Sequence, residues 1–119
     1  MIAKAHRFHG YGSLRFAYSR GQVARGSLCM LKYIENPRRK TWRASIVVSR
    51  KVHKSAVVRN RIRRRMYEAI RLLVPERALP YDLVWIIHSP DIATMTSEDL
   101  VQMIAGQLEQ TGLLSVDRG

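Results

Sequence analysis

Cysteine is almost missing from this sequence, because Cys29 is the only one among 119 residues. A single thiol excludes a disulfide within the chain, and it excludes a metal site built from several cysteines. Proteins with this cysteine usage are typical of reducing compartments. We therefore expect a cytoplasmic protein.

Long apolar runs are also missing. The first residues, MIAKAHRFHGYG, contain no apolar stretch of signal-peptide length. Nowhere do about 18 apolar residues follow one another, as a membrane-spanning helix requires. The sequence predicts a protein that is neither exported nor membrane-spanning.

Motifs of self-contained catalysis are absent as well. The chain has no Gly-x-Ser-x-Gly and no glycine-rich loop that would hold a phosphate before a helix. Its acidic residues stand singly, apart from Glu98 and Asp99, which are interpreted as helix-capping residues. We predict no catalytic residue and no metal-binding residue in this chain. If a nucleic acid is cut, the catalytic groups are expected to come from elsewhere.

Acidic residues are scarce in the first 71 positions, which hold 19 Lys or Arg and 2 Asp or Glu. The remaining positions hold 7 acidic and 2 basic residues, so the formal net charge of +12 comes from the first part of the chain. Such a concentration of positive charge attracts polyanions. Nucleic acid is the first partner that it indicates, and an anionic membrane is the second.

The most basic segment is a predicted helix at 55–74, with five arginines in its seven residues 59–65. Helical spacing predicts a core-facing stripe of Val58, Ile62, Met66, Ala69 and Leu73, with Ile70 at its edge. The outward side is predicted to carry Asn60, Arg63, Arg64, Tyr67 and Arg71. Arginines without acidic neighbours favour bidentate contacts to phosphates. We interpret this helix as a rigid surface that binds a polyanion.

The rest of the chain predicts one domain over residues 1–119, with an extended arm at 1–12. Strands are predicted at 27–34, 42–50 and 81–88, and further helices at 14–20 and from Thr96 to Gly112. Met30 and Lys32 are predicted to share one face of their strand. The strand at 42–50 alternates an apolar face with a small, partly polar one, which suits a sheet surface left open for a ligand. These elements indicate an α+β or α/β fold.

The order of motifs in residues 47–71, VVSRKVHKSAVVRNRIRRRMYEAIR, is more specific than the charge. A strand ends in Ser-Arg-Lys at 49–51, a short basic connection follows, and a helix contains Arg-Asn-Arg at 59–61. This order resembles the protein subunit of bacterial ribonuclease P. The likeness extends further: Arg7 and Phe8 look like the start of that family, 14–21 like its first helix and glycine, and 82–87 like its last strand.

The resemblance implies a single α+β domain, an α/β sandwich of element order αβββαβα. Its four-stranded sheet would contain a left-handed βαβ crossover, which is the ribosomal protein S5 domain 2-like fold. The resemblance also implies an enzyme component: the protein would bind the catalytic RNA of ribonuclease P and the single-stranded 5′ leader of precursor tRNA. The RNA and metal ions would supply the catalytic groups, with Mg²⁺ required by the ribonucleoprotein and no cofactor bound by the protein alone. Neither a membrane nor a protein partner would be required.

The family's functional positions can be carried over residue by residue. The resemblance implies that the catalytic RNA is contacted by Arg50, Lys51, Arg59, Asn60, Arg61, Arg63 and Arg64. It implies a leader-binding cleft, with neighbouring positions taken from the strand pattern, formed by Leu14, Phe16, Tyr18, Met30, Lys32, Val47 and Ser49. Leu14 stands where the family usually has Phe, and Phe16 is the residue that could replace that stacking platform.

The residues leave one alternative function open and argue against another. A ribosomal or other structured-RNA-binding protein would show the same basic helix without any link to tRNA maturation. A nuclease that acts without RNA would need carboxylate clusters, which this sequence does not contain.

Overall fold

The computed structural model describes residues 21–36, 41–75 and 80–112. The strands are β1 (Gln22–Ala24), β2 (Cys29–Glu35), β3 (Arg43–Val47) and β4 (Tyr81–Ile87). The helices are α1 (Ala56–Leu73), a short 3-10 helix (Pro90–Ala93) and α2 (Ser97–Thr111). The predicted arm at 1–12 and the predicted helix at 14–20 lie outside the described residues. The order from β1 to α2 is the expected one, so the mixed α+β class is confirmed.

The four strands form one sheet in the order β1-β2-β4-β3. The pairs β1–β2 and β2–β4 are antiparallel, whereas β3 and β4 are parallel neighbours. Parallel neighbours need a crossover, and α1 supplies it. The left-handed sense of this crossover remains a prediction.

The two faces of the sheet follow from its register. Leu31 pairs with Trp85, which pairs with Ile46, and these three side chains are buried in the main core. The residues between them in sequence point to the other side, because side chains alternate along a strand. We call this second side the sheet face; it carries Met30, Lys32, Ile34, Val47, Val84 and Ile86.

Both α-helices pack on the core side of the sheet. The helix α2 is anchored by Gln107, whose Oε1 accepts the indole N–H of Trp85 at 2.9 Å. The Gln107 amide donates to the carbonyl of Cys29 at 3.1 Å, and the Cys29 thiol lies 3.6 Å from Gln107 Oε1. Burial is the main cause that raises the pKa of the Cys29 thiol to about 11. Gly112, at φ 77°, ends α2 in the left-handed conformation that glycine adopts readily, as predicted.

The helix α1 begins and ends where the sequence predicts. The Ser55 Oγ accepts the N–H of Val58, and Val74 closes the last turn before Pro75. The buried side chains are Ile62, Met66, Tyr67, Ala69 and Ile70. The prediction that Tyr67 faces outward is wrong: only 8% of it is exposed. The helix contacts the sheet, the 3-10 helix and α2, so its buried arc is wider than a single stripe.

The strand predicted at 42–50 is shorter than expected. It ends at Val47, and the N–H of Val52 then donates to the Ser49 carbonyl at 3.1 Å to form a turn. Ser49, Arg50 and Lys51 therefore lie on an exposed turn beyond the sheet.

A buried ion pair joins the N-terminal ends of the parallel strands β3 and β4. Arg43 Nε donates to Asp82 Oδ1 at 2.9 Å, and Arg43 Nη2 donates to Asp82 Oδ2 at 2.9 Å. The Asn36 amide donates to the same carboxylate at 3.0 Å. Only 8% of Arg43 and 4% of Asp82 are exposed. Removing one partner would leave an uncompensated buried charge, which is costly.

We expect Arg43→Ala to lower the free energy of unfolding by about 3 to 5 kcal/mol. The matched control is Arg71→Ala, which removes an exposed ion pair with Glu68 and should cost no more than about 1 kcal/mol. Urea denaturation followed by circular dichroism measures both. Equal losses in the two variants would contradict the structural role of the buried pair.

Candidate RNA interface

The turn before α1 is fixed to the first turn of the helix. The N–H of Ser55 donates to His53 Nδ1 at 3.0 Å. Arg59 reaches back from the helix, and its Nη1 donates to the carbonyls of His53 and Lys54 at 2.9 Å each. Arg59, which was predicted to contact RNA, is thus half-buried and hydrogen-bonded to the turn. This arrangement holds the basic residues of the turn in a defined place relative to the helix.

Asn60 and Arg63 form a second local pair. The Nη1 of Arg63 donates to Asn60 Oδ1 at 2.6 Å, across three residues of one helix face. Asn60 is exposed and Arg63 is half-buried. The amide oxygen therefore restricts the guanidinium while leaving its charge intact.

Arg65 points toward the protein. Its Nη1 donates to the carbonyl of Ile92 at 2.7 Å, and its Nη2 donates to the carbonyl of Met95. The guanidinium thereby holds the segment of the 3-10 helix against α1. Helical periodicity alone does not reveal this role, because the two acceptors lie on a segment distant in sequence.

Arg61 and Arg64 are different from their neighbours. Both are exposed, and within the described parts of the chain neither makes a hydrogen bond or ion pair. The side chains of Arg50, Lys51 and Lys54 on the preceding turn are also exposed. Lys54 was absent from the residues expected to contact RNA, although its place between Lys51 and Arg59 is a signal in the sequence. We call this group of residues the cationic surface: Arg50, Lys51, Lys54, Arg59, Asn60, Arg61, Arg63 and Arg64.

The sheet face holds three of the four described members of the predicted leader cleft: Met30, Lys32 and Val47. Val47 pairs with Ile86, which pairs with Met30, so these three side chains form one row across the sheet. The predicted face of Met30 and Lys32 is therefore confirmed. They do not adjoin Val47, however, because β4 lies between β2 and β3. The separation is about two strand spacings, or roughly 10 Å.

The sequence predicted that this side of the sheet is open for a ligand, and this prediction is wrong at the centre of the sheet face. Val84 is 0% exposed and packs with Ile34, Val47 and Ile86, and Ser45 is 6% exposed. Met30, Lys32 and Val47 are half-buried, while Ser49 is exposed beyond the end of β3. Ile86 lies in the same row between Met30 and Val47. Sequence reasoning did not place it there, because the continuous apolar run in β4 hides the alternation of its two faces. Leu14, Phe16 and Tyr18 lie outside the described residues.

The helix α1 and the sheet face lie on opposite sides of the sheet. The helix α1 packs with Leu31 and Trp85, whereas Met30 and Lys32 point away from it. Neither helix in the described ranges is long and apolar enough to cross a membrane. No three His, Cys, Asp or Glu side chains gather into a metal-binding group among the residues placed by the structure.

These features define a small basic α+β protein with an arginine-rich helix on one side of its sheet. The family model described as Ribonuclease P matches residues 2–112. The chain therefore belongs to the ribonuclease P protein family, as its motif order implies.

Curated relatives agree with this assignment. The ribonuclease P protein component of Chloroflexus aurantiacus is 44% identical over 77 residues, which cover 65% of this chain and 56% of that protein. That of Roseiflexus castenholzii is 36% identical over 94 residues, which cover 79% of this chain and 75% of that protein. The match thus spans little more than half the length of the Chloroflexus relative.

Solved structures share the fold. The RNase P protein of Staphylococcus aureus superposes with a TM-score of 0.79, at 22% identity, over 92% of this chain and 98% of that chain. The RNase P protein of Thermotoga maritima gives a TM-score of 0.75 at 19% identity, over 87% of this chain and 96% of that chain. This architecture is therefore retained in proteins of low sequence identity.

We expect substitutions of the adjacent residues Arg64 and Arg65 to have different effects on the stability of the protein. Arg65→Ala should lower the free energy of unfolding by about 1 to 3 kcal/mol, because two partly buried carbonyls lose their donor. Arg64→Ala should change it by no more than about 0.5 kcal/mol, since its side chain is exposed. Thermal and urea unfolding of both variants checks this. A similar loss in the two would argue against the inward role of Arg65.

Proposed function

We propose that this chain is the protein subunit of a ribonuclease P ribonucleoprotein. In this proposal it binds the catalytic RNA and the single-stranded 5′ leader of precursor tRNA, and it assists removal of the leader. The RNA and Mg²⁺ supply the chemistry. Membership of the family supports the proposal. The observation that carries it is the pair of exposed arginines on α1, Arg61 and Arg64, which make no hydrogen bond or ion pair with any residue that the structure describes.

Phosphate binding is the chemistry that this surface supports best. A guanidinium offers five N–H donors in a planar fork that matches phosphate geometry. Arg61 and Arg64 lie three residues apart, so their backbones are separated by about 4.5 Å along the helix axis. Arg50 and Lys51 extend the charge over the adjoining turn. Contacts of this kind position an RNA without reading its bases.

The sheet face supports the second part of the proposal. Apolar side chains of Met30, Val47 and Ile86 form a row beside Lys32. Unpaired nucleotides are bound by such combinations, since bases contact apolar or aromatic groups while a cation meets the backbone. Because this face lies opposite α1, the catalytic RNA and the leader could be bound at the same time. The predicted contributions of Leu14, Phe16 and Tyr18 belong to this part of the proposal.

Reconstitution with the cognate catalytic RNA tests the proposal. We expect the protein to increase cleavage of precursor tRNA at low Mg²⁺ concentration. No increase would overturn it, and co-sedimentation with ribosomal subunits would then favour a ribosomal protein. Cleavage by the protein without RNA would instead favour a self-contained nuclease.

The double variant Arg61→Ala, Arg64→Ala should weaken binding of the catalytic RNA. Each lost phosphate contact should also reduce the slope of log affinity against log salt by about 0.7 to 0.9, because fewer counterions are released. Filter binding at several salt concentrations measures both effects. Arg71→Ala is the control, since that arginine is on the same helix but is paired with Glu68. An unchanged slope in the double variant would mean that Arg61 and Arg64 do not touch phosphate.

Lys32→Met should weaken binding of precursor tRNA that carries a leader, while binding of mature tRNA stays the same. Methionine keeps an unbranched apolar stem and removes the ammonium group, with its charge and its hydrogen-bond donors. The salt slope for leader binding should fall by about 0.7, the value for a contact to a single strand. Arg71→Met is the control, because Arg71 is an exposed cation on α1, on the other side of the sheet. Equal losses for precursor and mature tRNA would contradict a leader contact at Lys32.

A further inference from the structure

His53 lies in the turn that leads into α1, among the residues of the cationic surface. Lys51 precedes it by two positions, Lys54 follows it, and Arg59 donates to its carbonyl at 2.9 Å. The neighbouring Val52 packs against the main core, so the turn is anchored to the domain. An RNA strand held by these cations would lie beside the His53 ring.

A hydrogen bond from the backbone fixes the state of this imidazole. The N–H of Ser55 donates to His53 Nδ1 at 3.0 Å. A ring nitrogen that accepts a hydrogen bond carries no proton, so the ring is neutral and has its proton on Nε2. The two nitrogens point in different directions from the ring, so the Nε2–H is directed away from the Ser55 N–H. The turn therefore holds an oriented, uncharged donor.

The Nε2–H of His53 has no acceptor within the described ranges. The ring makes one hydrogen bond there, at Nδ1. Because His53 is half-buried and held both at its ring and at its carbonyl, the donor has little conformational freedom to lose on binding. Covering such a donor without giving it an acceptor is costly. RNA bound over this turn must therefore supply an acceptor.

The contact with Ser55 alone does not need an imidazole. The side-chain oxygen of Asn or Asp accepts the N–H two residues further on in the common Asx turn. His53 makes the equivalent contact through Nδ1 and carries a second polar atom further from the backbone. Nε2 is the part of the side chain that the backbone contact leaves unused.

We propose that His53 is an RNA-binding residue whose neutral Nε2–H donates a hydrogen bond to an oxygen atom of the catalytic-RNA backbone. This inference rests on the proposed function and adds an uncharged contact to the charged ones of Arg61 and Arg64. The acceptor is a phosphate oxygen or a ribose 2′-hydroxyl, the two backbone groups that proteins contact in RNA. Because His53 neutralises no charge, the contact contributes to affinity and not to its salt dependence.

His53→Asn removes the outer donor and keeps an acceptor for the Ser55 N–H. We expect affinity for the cognate catalytic RNA to fall at least about threefold, within the range for one hydrogen bond. The unfolding temperature and the slope of log affinity against log salt should match those of the unmodified protein. Filter binding at several salt concentrations and thermal unfolding measure these quantities.

His53→Gln is the matched control, because it exchanges the two effects. Its amide places an N–H donor near the position of Nε2 and leaves no acceptor close to the backbone. We expect RNA affinity to stay within about twofold of the unmodified protein, since the donor is kept. The unfolding temperature should fall, because the Ser55 N–H loses its partner.

Three results would overturn the proposal. They are unchanged affinity in His53→Asn, equal losses of affinity in the Asn and Gln variants, and a reduced salt slope in His53→Asn. A proton on Nδ1 in long-range proton–nitrogen NMR spectra of the free protein would overturn it as well. If Arg61→Ala, Arg64→Ala still weakens RNA binding in any of these cases, the proposed function stands without the His53 contact.

Interference mapping with 2′-deoxynucleotides identifies the acceptor once His53→Asn has weakened binding. A 2′-deoxy position that weakens binding of the unmodified protein but not of His53→Asn assigns the acceptor to that ribose. If no position behaves in this way, the acceptor is a phosphate oxygen.

Discussion

The burial of Ile62, Met66 and Ile70 on the core side of the sheet orients the whole of α1. Each of these side chains is fully buried, and burying one such side chain contributes about 1.5 to 3 kcal/mol. Five arginines in seven residues repel one another, so the helix depends on this packing more than on its own propensity. Because the apolar side cannot rotate away from the core, the direction of Arg61 and Arg64 is fixed as well. The orientation of the cationic residues on α1 therefore depends on this contact.

Three of the crowded arginines on α1 donate hydrogen bonds to uncharged oxygen atoms. Arg59 donates to two turn carbonyls, Arg63 donates to an amide, and Arg65 donates to carbonyls of the next segment. None of these acceptors cancels a charge, so the positive potential of the surface is kept while three guanidinium groups are immobilised. An acid at helical spacing would have relieved the repulsion too, but it would have weakened the attraction for a polyanion. Glu68, in the second half of α1, is the only acidic residue of this helix.

Much of this architecture could be predicted from local pattern. The caps at Ser55 and Thr96, the end of α2 at Gly112 and the shared face of Met30 and Lys32 all follow from short-range rules. What could not be predicted depends on residues distant in sequence. The inward position of Arg65 requires the carbonyls of Ile92 and Met95. Tyr67 is buried in a core that joins α1 to the sheet, the 3-10 helix and α2, which the pattern of one helix does not show. The separation of Met30 from Val47 arises because β4 lies between their strands, an order that no periodicity within a strand reveals.

The central place of β4 also governs when the protein can fold during synthesis. β2 and β3 leave the ribosome early, yet they have no hydrogen bonds with each other, since both pair with a strand that begins at Tyr81. Until that segment emerges, β3 has no partner, and the pairing of Cys29 with Ile87 spans most of the sheet-forming chain. Such long-range pairing slows folding. The residues of α1 are therefore synthesised before the sheet that orients the helix is complete. During synthesis, the positive charge of this segment is exposed before the domain has folded.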